Sequence, residues 1–182
     1  MRLFRPQAKA LVRADSLSRN KAMWKMNPIR LLVVDDRADL RQNVVEVLRS
    51  ESDLEVVGEA DNGQQAIDLA FKLKPDIVLM DVSMPMVSGI EATRRIRDTL
   101  PAVRVLVLTA DQDIHYVFAL LEAGASGYLF KSTMVRGVVD AIHQTLKGQV
   151  PLDPAILGAL NEDDLKRVQQ LIQAIESRST PV

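Results

Sequence analysis

The sequence predicts an α/β fold in which helices cover both faces of a five-stranded parallel sheet. Five short apolar runs rich in Val, Ile and Leu alternate with five amphipathic stretches between residues 29 and 148. Continuous apolar runs are typical of strands that are buried on both faces. Because neighbouring parallel strands need a helical crossover, the alternation indicates a doubly wound sheet.

The predicted strands and helices alternate along the chain. The strands are IRLLVV (29–34), LEVVGE (54–59), DIVLM (76–80), RVLVLT (104–109) and GYLF (127–130). Apolar residues near a period of 3.6 mark five helices, from Leu40 to Leu48, Ala66 to Phe71, Ile90 to Ile96, Ile114 to Leu121 and Val135 to Leu146. Sheets of this kind bind ligands beyond the carboxyl ends of their strands, so we expect the chemistry just after these runs.

Composition limits the chemistry that is available. The 182 residues contain no Cys and two His, which excludes disulfide scaffolds, thiolate metal sites and cysteine nucleophiles. His115 and His143 stand alone and receive no catalytic role. No apolar run reaches the length of a membrane span, and the N-terminus lacks a secretory signal. We therefore expect a cytoplasmic protein that makes no membrane contact, with carboxylates carrying the chemistry.

The charge is unevenly distributed along the chain. Residues 1–28 hold seven Lys and Arg and one acidic residue, so 16 basic and 23 acidic side chains, a net charge of −7, remain for residues 29–182. An acidic domain is a poor match for the phosphates of a nucleic acid. We interpret residues 1–28 as a flexible basic arm.

The residues after the domain of 29–148 divide into three predicted parts. Residues 149–160 contain two prolines and indicate a linker. Residues 161–177 predict an amphipathic helix that Asn161 caps and that packs on its own domain or across a dimer. Residues 178–182 form a tail. The apolar stripe of that helix consists of Leu165, Val168, Ile172 and Ile175.

Polar residues follow four of the five predicted strands. Asp35 and Asp36 follow the first strand, Asp81 the third, Thr109 ends the fourth and Lys131 follows the fifth. Any one of these acids alone is as well explained as a helix cap. Together they predict a cluster of three carboxylates, which would repel one another unless a cation joined them. Oxygen ligands favour Mg²⁺ for that cation.

With these residues in place, the chain resembles the receiver domain of two-component response regulators, in particular those of the NarL/FixJ (LuxR-type) subfamily. The resemblance covers roughly residues 29–148. It rests on the DD pair at 35–36, LMDVSMPMVSGIEATRRIR at 79–97, VLVLTA at 105–110 and AGASGYLFKS at 123–132. It implies a flavodoxin-like sheet in the order 2-1-3-4-5.

The resemblance also implies a role for each polar residue of the cluster. Asp81 would be the phosphoacceptor for a sensor histidine kinase, and Lys131 and Thr109 would contact the phosphoryl oxygens. Asp36, Asp81 and the backbone carbonyl of Ser83 would bind Mg²⁺, with Asp35 acting through a water.

A switch follows from the same resemblance. In the family, the residue matching Thr109 moves inward on phosphorylation and the aromatic residue matching Tyr128 follows it, which remodels a protein-interaction surface. The implied protein dimerises, acts in transcription regulation and performs no catalysis beyond accepting and slowly hydrolysing a phosphoryl group. Family members usually continue into a helix-turn-helix domain. Only 34 residues follow Gly148, so we expect no specific DNA binding by this chain alone.

Other functions fit the sequence less well. A haloacid-dehalogenase-like phosphatase needs a second acid two residues after its nucleophile, but Ser83 stands there after Asp81, and Arg37 after Asp35. An unphosphorylated pseudo-receiver that only dimerises would not need the complete polar set. A dinucleotide-binding protein would carry a glycine-rich loop after the first strand.

Several residues in the loop after Asp81 and in the turn before the fifth strand have predicted structural roles. Pro85 and Gly89 are expected to shape the loop after Asp81, and Gly124 and Gly127 the turn into the fifth strand. The three methionines of this region, Met80, Met84 and Met86, are expected to be packing residues.

Overall fold

The fold is that of a five-stranded, wholly parallel sheet in the order β2-β1-β3-β4-β5, which confirms the predicted class and strand order. The structure is a computed structural model that describes residues 27–110, 114–132 and 134–179. The strands are β1 (Ile29–Val34), β2 (Leu54–Ala60), β3 (Ile77–Met80), β4 (Arg104–Thr109) and β5 (Gly127–Phe130). Each lies within one residue of its predicted bounds.

Seven helices are present in the described part of the chain. They are α1 (Ala38–Arg49), α2 (Gly63–Leu73), α3 (Gly89–Thr99), α4 (Ile114–Glu122), α5 (Met134–Leu146), α6 (Pro154–Ala159) and α7 (Glu162–Ser179). The first five correspond to the five predicted helices, four between the strands and one after β5. The last two belong to the C-terminal segment.

The core lies on both faces of the sheet because side chains alternate along each buried strand. In β1, Leu31 and Val33 pack with α1 and α5, whereas Leu32 and Val34 pack with α2 and α3. Both sets are almost completely buried. This alternation explains why the sequence of β1 is apolar at every position except Arg30.

The predicted linker, residues 149–160, differs in the structure. Leu152 forms a parallel bridge with Tyr128, and Asp153 caps the short helix α6 by accepting from the amide of Ala155 at 3.0 Å. Ile156 of α6 is 1% exposed. Residues 151–159 are therefore held against β5 and partly helical, because an edge strand offers backbone partners that composition does not reveal.

The predicted amphipathic helix is present as α7. Asn161 caps it, accepting from the amides of Asp163 and Asp164 at 3.0 and 2.9 Å, as expected. The helix continues to Ser179, two residues beyond the predicted end. The helix packs on α4 of the same chain, and its apolar residues share one cluster with residues of α4 and β5.

The methionines near Asp81 differ in their burial. Met80 and Met84 are buried as expected, but Met86 is 81% exposed with a φ of 65°, so its prediction as a packing residue was wrong. Residues 1–26 of the predicted arm and 180–182 of the predicted tail lie outside the described residues. No helix in the described ranges is long and apolar enough to cross a membrane.

Candidate functional site

The loop after β1 presents two acids and is held by an arginine from α1. Asp35 accepts the amide of Arg37 at 3.0 Å through its carboxylate. Arg41 donates to the backbone carbonyl of Asp35 at 2.6 Å, and its Nε lies 3.2 Å from Glu59 of β2. Asp35 is buried and Asp36 is exposed. The backbone of the acidic loop is therefore fixed, while Asp36 remains open to solvent.

Asp81 follows β3 directly and lies against the start of α3. Its amide donates to the carbonyl of Val34 at 3.0 Å, which places it beside the acidic loop. The amide of Gly89 donates to Val82 at 3.0 Å, so the loop turns back on itself. A Cβ atom on Gly89 would overlap the carbonyl oxygen of Asp81. Glycine is required here because the helix backbone approaches the strand end too closely for any side chain.

The predicted carboxylate cluster forms. Carboxylate oxygens from Asp35, Asp36 and Asp81 all lie within 4.8 Å of one another. The ammonium of Lys131 lies 2.7 Å from Asp35 and 3.0 Å from Asp81, and its side chain is 11% exposed. Parallel strands bring these residues together because their carboxyl ends share one edge of the sheet.

Burial sets the protonation behaviour of Asp81. Loss of solvent raises the pKa of this carboxyl above its ordinary value of 3.8, and the neighbouring Asp35 raises it further. Lys131 acts in the opposite direction without overcoming the burial. Three carboxylates with one ammonium thus leave an excess of negative charge at the site.

The donor set fits Mg²⁺. All candidate ligands are oxygens, two come from buried positions, and the exposed side of Asp36 leaves room for the waters that Mg²⁺ keeps. Beside it lies a cavity of about 560 Å³, lined by Asp36, Ser83 and Tyr116 among others. Ser83, the predicted carbonyl ligand, therefore borders the same space as Asp36.

The two predicted switch residues lie on neighbouring strands. Thr109 is buried at the end of β4, and its carbonyl accepts the amide of Lys131 at 2.7 Å. Tyr128 is completely buried in β5, with its ring perpendicular to that of Phe130 at 6.0 Å between centroids. The structure thus connects Thr109 to Lys131 through the backbone and encloses Tyr128 beneath the C-terminal segment.

Both histidines stay outside the carboxylate cluster. His143 lies 2.9 Å from Asp53, whose carbonyl accepts the amide of Ile29 at the opposite edge of the sheet. His115 is exposed on α4.

Sequence reasoning missed the support of the acidic loop. Arg41 stands four residues after Arg37, one helical turn into α1, which could have indicated that it faces the loop. Its partner Glu59 is 18 residues away, so no local pattern connects the two. The role of Tyr116 in lining the cavity also carried no sequence signal.

Comparison with known proteins agrees with this geometry. A family model described as response regulator receiver domain matches residues 31–143. The response regulator protein VraR of Staphylococcus aureus is 37% identical over 141 residues, which cover 78% of this chain and 68% of the relative.

Two solved structures are similar in both fold and sequence. A LuxR-family two-component response regulator from Aurantimonas sp. SI85-9A1 has a TM-score of 0.72 and 34% identity, covering 76% of this chain and 99% of that one. The signal receiver domain of the putative response regulator NarL from Mycobacterium tuberculosis has a TM-score of 0.65 and 33% identity, covering 67% and 98%. The chain belongs to the response regulator receiver family of two-component systems and resembles its NarL/LuxR-type members.

Proposed function

We propose that the chain accepts a phosphoryl group on Asp81 from a sensor histidine kinase in a Mg²⁺-dependent reaction. The observation that carries this proposal is the position of the Lys131 ammonium, 3.0 Å from Asp81 and 2.7 Å from Asp35, at the edge where three carboxylates meet. An excess of acids around one buried nucleophile, with a cation within reach, suits phosphoryl transfer.

The reaction would use the residues as follows. A carboxylate oxygen of Asp81 attacks the phosphorus of a phosphohistidine, the P–N bond breaks, and the imidazole leaves with the electron pair. Lys131 transfers its contact from the Asp81 carboxylate to a phosphoryl oxygen, and the Thr109 hydroxyl donates to a second. These two contacts would stabilise the negative charge that the phosphoryl group adds to Asp81.

Asp36, Asp81 and the Ser83 carbonyl would hold Mg²⁺, with Asp35 one water away. The ion supplies positive charge that offsets the phosphoryl oxygens as donor and acceptor approach. The distances among the three carboxylates support this assignment, because one oxygen of each lies within 4.8 Å of the others. Asp35 is bonded to Lys131 and to the amide of Arg37, which suits it for an indirect role.

Phosphorylation would move Thr109 and Tyr128 and so remodel a protein-interaction surface. This change would also affect self-association as a homodimer. Its cellular setting would be cytoplasmic transcription regulation. The chain would not bind DNA specifically by itself, because residues 29–182 carry a net charge of −7 and the apolar face of α7 is buried against α4. Sequence-selective binding to genomic fragments at physiological salt would contradict this part of the proposal.

The test is intact mass after incubation with acetyl phosphate and Mg²⁺. We expect the wild type to gain one phosphoryl group and Asp81→Asn to gain none. A wild-type chain that gains no mass would contradict the proposal and favour the alternative of an unphosphorylated pseudo-receiver.

A further inference from the structure

The chain's own C-terminal helix α7 packs against α4, and its apolar residues share one cluster with α4 and the adjoining β5, which together form the α4–β5 surface. Val168 of α7 is 1% exposed and Ile175 is 6% exposed. They join one apolar cluster with Phe118 and Leu121 of α4 and with Tyr128 of β5. Without α7, this apolar strip of the domain would face solvent.

The contact between α7 and α4 includes a cation–ring contact and an ion pair in addition to apolar packing. The Arg167 guanidinium lies 4.6 Å from the centre of the Phe118 ring and 2.5 Å from the Glu122 carboxylate. An exposed ion pair adds little stability, but with the ring contact it selects a helix that presents a cation at this position. The surface therefore favours an amphipathic helix with an arginine beside its apolar stripe.

The start of the C-terminal segment is anchored to β5 by a close backbone approach. The amide of Tyr128 donates to the carbonyl of Pro151, and the amide of Asp153 donates to the carbonyl of Tyr128, both at 2.9 Å. A Cβ atom on Gly127 would lie 2.9 Å from the Pro151 ring and 2.6 Å from Leu106. Glycine at this strand position thus leaves the space that Pro151 occupies.

This anchor adjoins the phosphoacceptor site along one strand. The amide of Phe130 donates to the Asp153 carboxylate at 3.4 Å. The next residue, Lys131, carries the ammonium that contacts Asp81. A phosphoryl group on Asp81 would displace that ammonium from the carboxylate, so a shift at the end of β5 would act directly on the bonds that hold residues 151–153.

The far half of α7 is less completely packed. A cavity of about 620 Å³ lies between α3, the end of α4 and α7, lined by Arg97, Leu121, Leu171 and Ile175 among others. Missing contacts lower the stability of the docked helix relative to a filled interface. The incompletely filled interface lowers the cost of separating α7 from α4.

We propose that the α4–β5 surface is a binding site for an amphipathic helix, that α7 is its built-in occupant, and that phosphorylation of Asp81 releases α7 so that another helix of the same chemistry can bind. The regulatory half rests on the proposed function. Coupling of this kind is reciprocal, so the docked helix also lowers the affinity of the site for a phosphoryl group.

Thiol labelling of the full chain tests the release, because the native sequence has no cysteine. In Val168→Cys, the single thiol lies on the buried face of α7, and we expect it to react roughly tenfold faster after treatment with acetyl phosphate and Mg²⁺. Val45→Cys, buried in α1, is the matched control and should not change. Intact mass records phosphorylation in the same sample.

The outcomes separate the two proposals. A phosphorylated chain with an unchanged Val168→Cys rate overturns the release and leaves the proposed function standing. If the Val168→Cys thiol stays protected and sedimentation shows twice the mass of one chain, α7 docks on a second copy. That result overturns its role as the occupant of its own chain's surface.

The binding site itself is tested without phosphorylation. In full-length Val168→Asp, α7 should leave the surface, and a fluorescent peptide of residues 161–179 should then bind saturably. The same peptide carrying Val168→Asp is the control and should not bind. No binding of the native-sequence peptide to a folded variant would overturn the helix-binding site even if Asp81 is never phosphorylated.

Discussion

The ammonium of Lys131 lies 3.0 Å from the carboxylate of Asp81, and both side chains are largely buried. The same ammonium also contacts the carboxylate of Asp35. One positive charge therefore lies beside three carboxylates and does not neutralise them. Removing the cation and removing an acid should therefore change the stability of the fold in opposite directions.

Lys131→Gln should destabilise the fold by about 2 kcal/mol, because it leaves two buried carboxylates without their cation. Urea unfolding at neutral pH without Mg²⁺ measures the change. Lys166→Gln is the matched control, since Lys166 pairs with Asp163 on an exposed surface at 3.3 Å and should change stability by less than about 0.5 kcal/mol. Equal effects of the two substitutions would contradict the buried cluster.

Asp81→Asn should stabilise the metal-free fold, on the order of 1 kcal/mol at neutral pH. Burial raises the pKa of Asp81, so the folded chain holds this proton more tightly than the unfolded chain does. Ionisation therefore costs folding free energy above the folded pKa and nothing below the ordinary value of 3.8. The advantage of Asp81→Asn should shrink as pH falls, and an advantage that grows towards acid would have the wrong sign.

Gly89→Ala should disrupt the loop that carries Asp81, because a Cβ atom would overlap the Asp81 carbonyl oxygen. We expect a loss of about 2 kcal/mol in urea unfolding, together with slower phosphorylation. Gly137→Ala is the control, because Gly137 lies within α5 with nothing within 4 Å of its would-be Cβ atom. That substitution should stabilise by up to about 1 kcal/mol, through helix propensity. Similar losses at both positions would contradict the close approach.

Mg²⁺ should raise the melting temperature of the wild type and not that of Asp36→Asn, because Asp36 is the exposed ligand of the proposed site. Asp39→Asn provides the comparison, since Asp39 is an exposed acid in the first turn of α1 that pairs with Arg37. It should retain the shift. Equal shifts in wild type and Asp36→Asn would remove Asp36 from the metal site.

The sheet and the site cluster were predictable because both follow from short-range patterns. Apolar runs defined β1–β5 within one residue at each end, and the topology rule placed Asp36, Asp81 and Lys131 at one edge. Asn161 was predictable as a cap because it precedes three acids and an apolar stripe.

Contacts between distant parts of the chain were not predictable. The bridge between Tyr128 and Leu152 depends on an edge strand that needs a backbone partner, and the prolines of that segment suggested a linker instead. The Arg41–Glu59 pair spans α1 and β2, so neither residue indicates the other. Met86 is exposed at a position with a positive φ, and its residue type indicated neither feature.

The most direct test of the account is the site of phosphorylation in the full chain. After incubation with acetyl phosphate and Mg²⁺, intact mass followed by peptide mapping should show one phosphoryl group on the peptide that contains Asp81, and none in Asp81→Asn. Asp35→Asn should still carry the group on Asp81, because Asp35 is placed as a supporting acid. A phosphoryl gain that persists in Asp81→Asn, or that maps to another residue of the wild type, would contradict the assignment of Asp81.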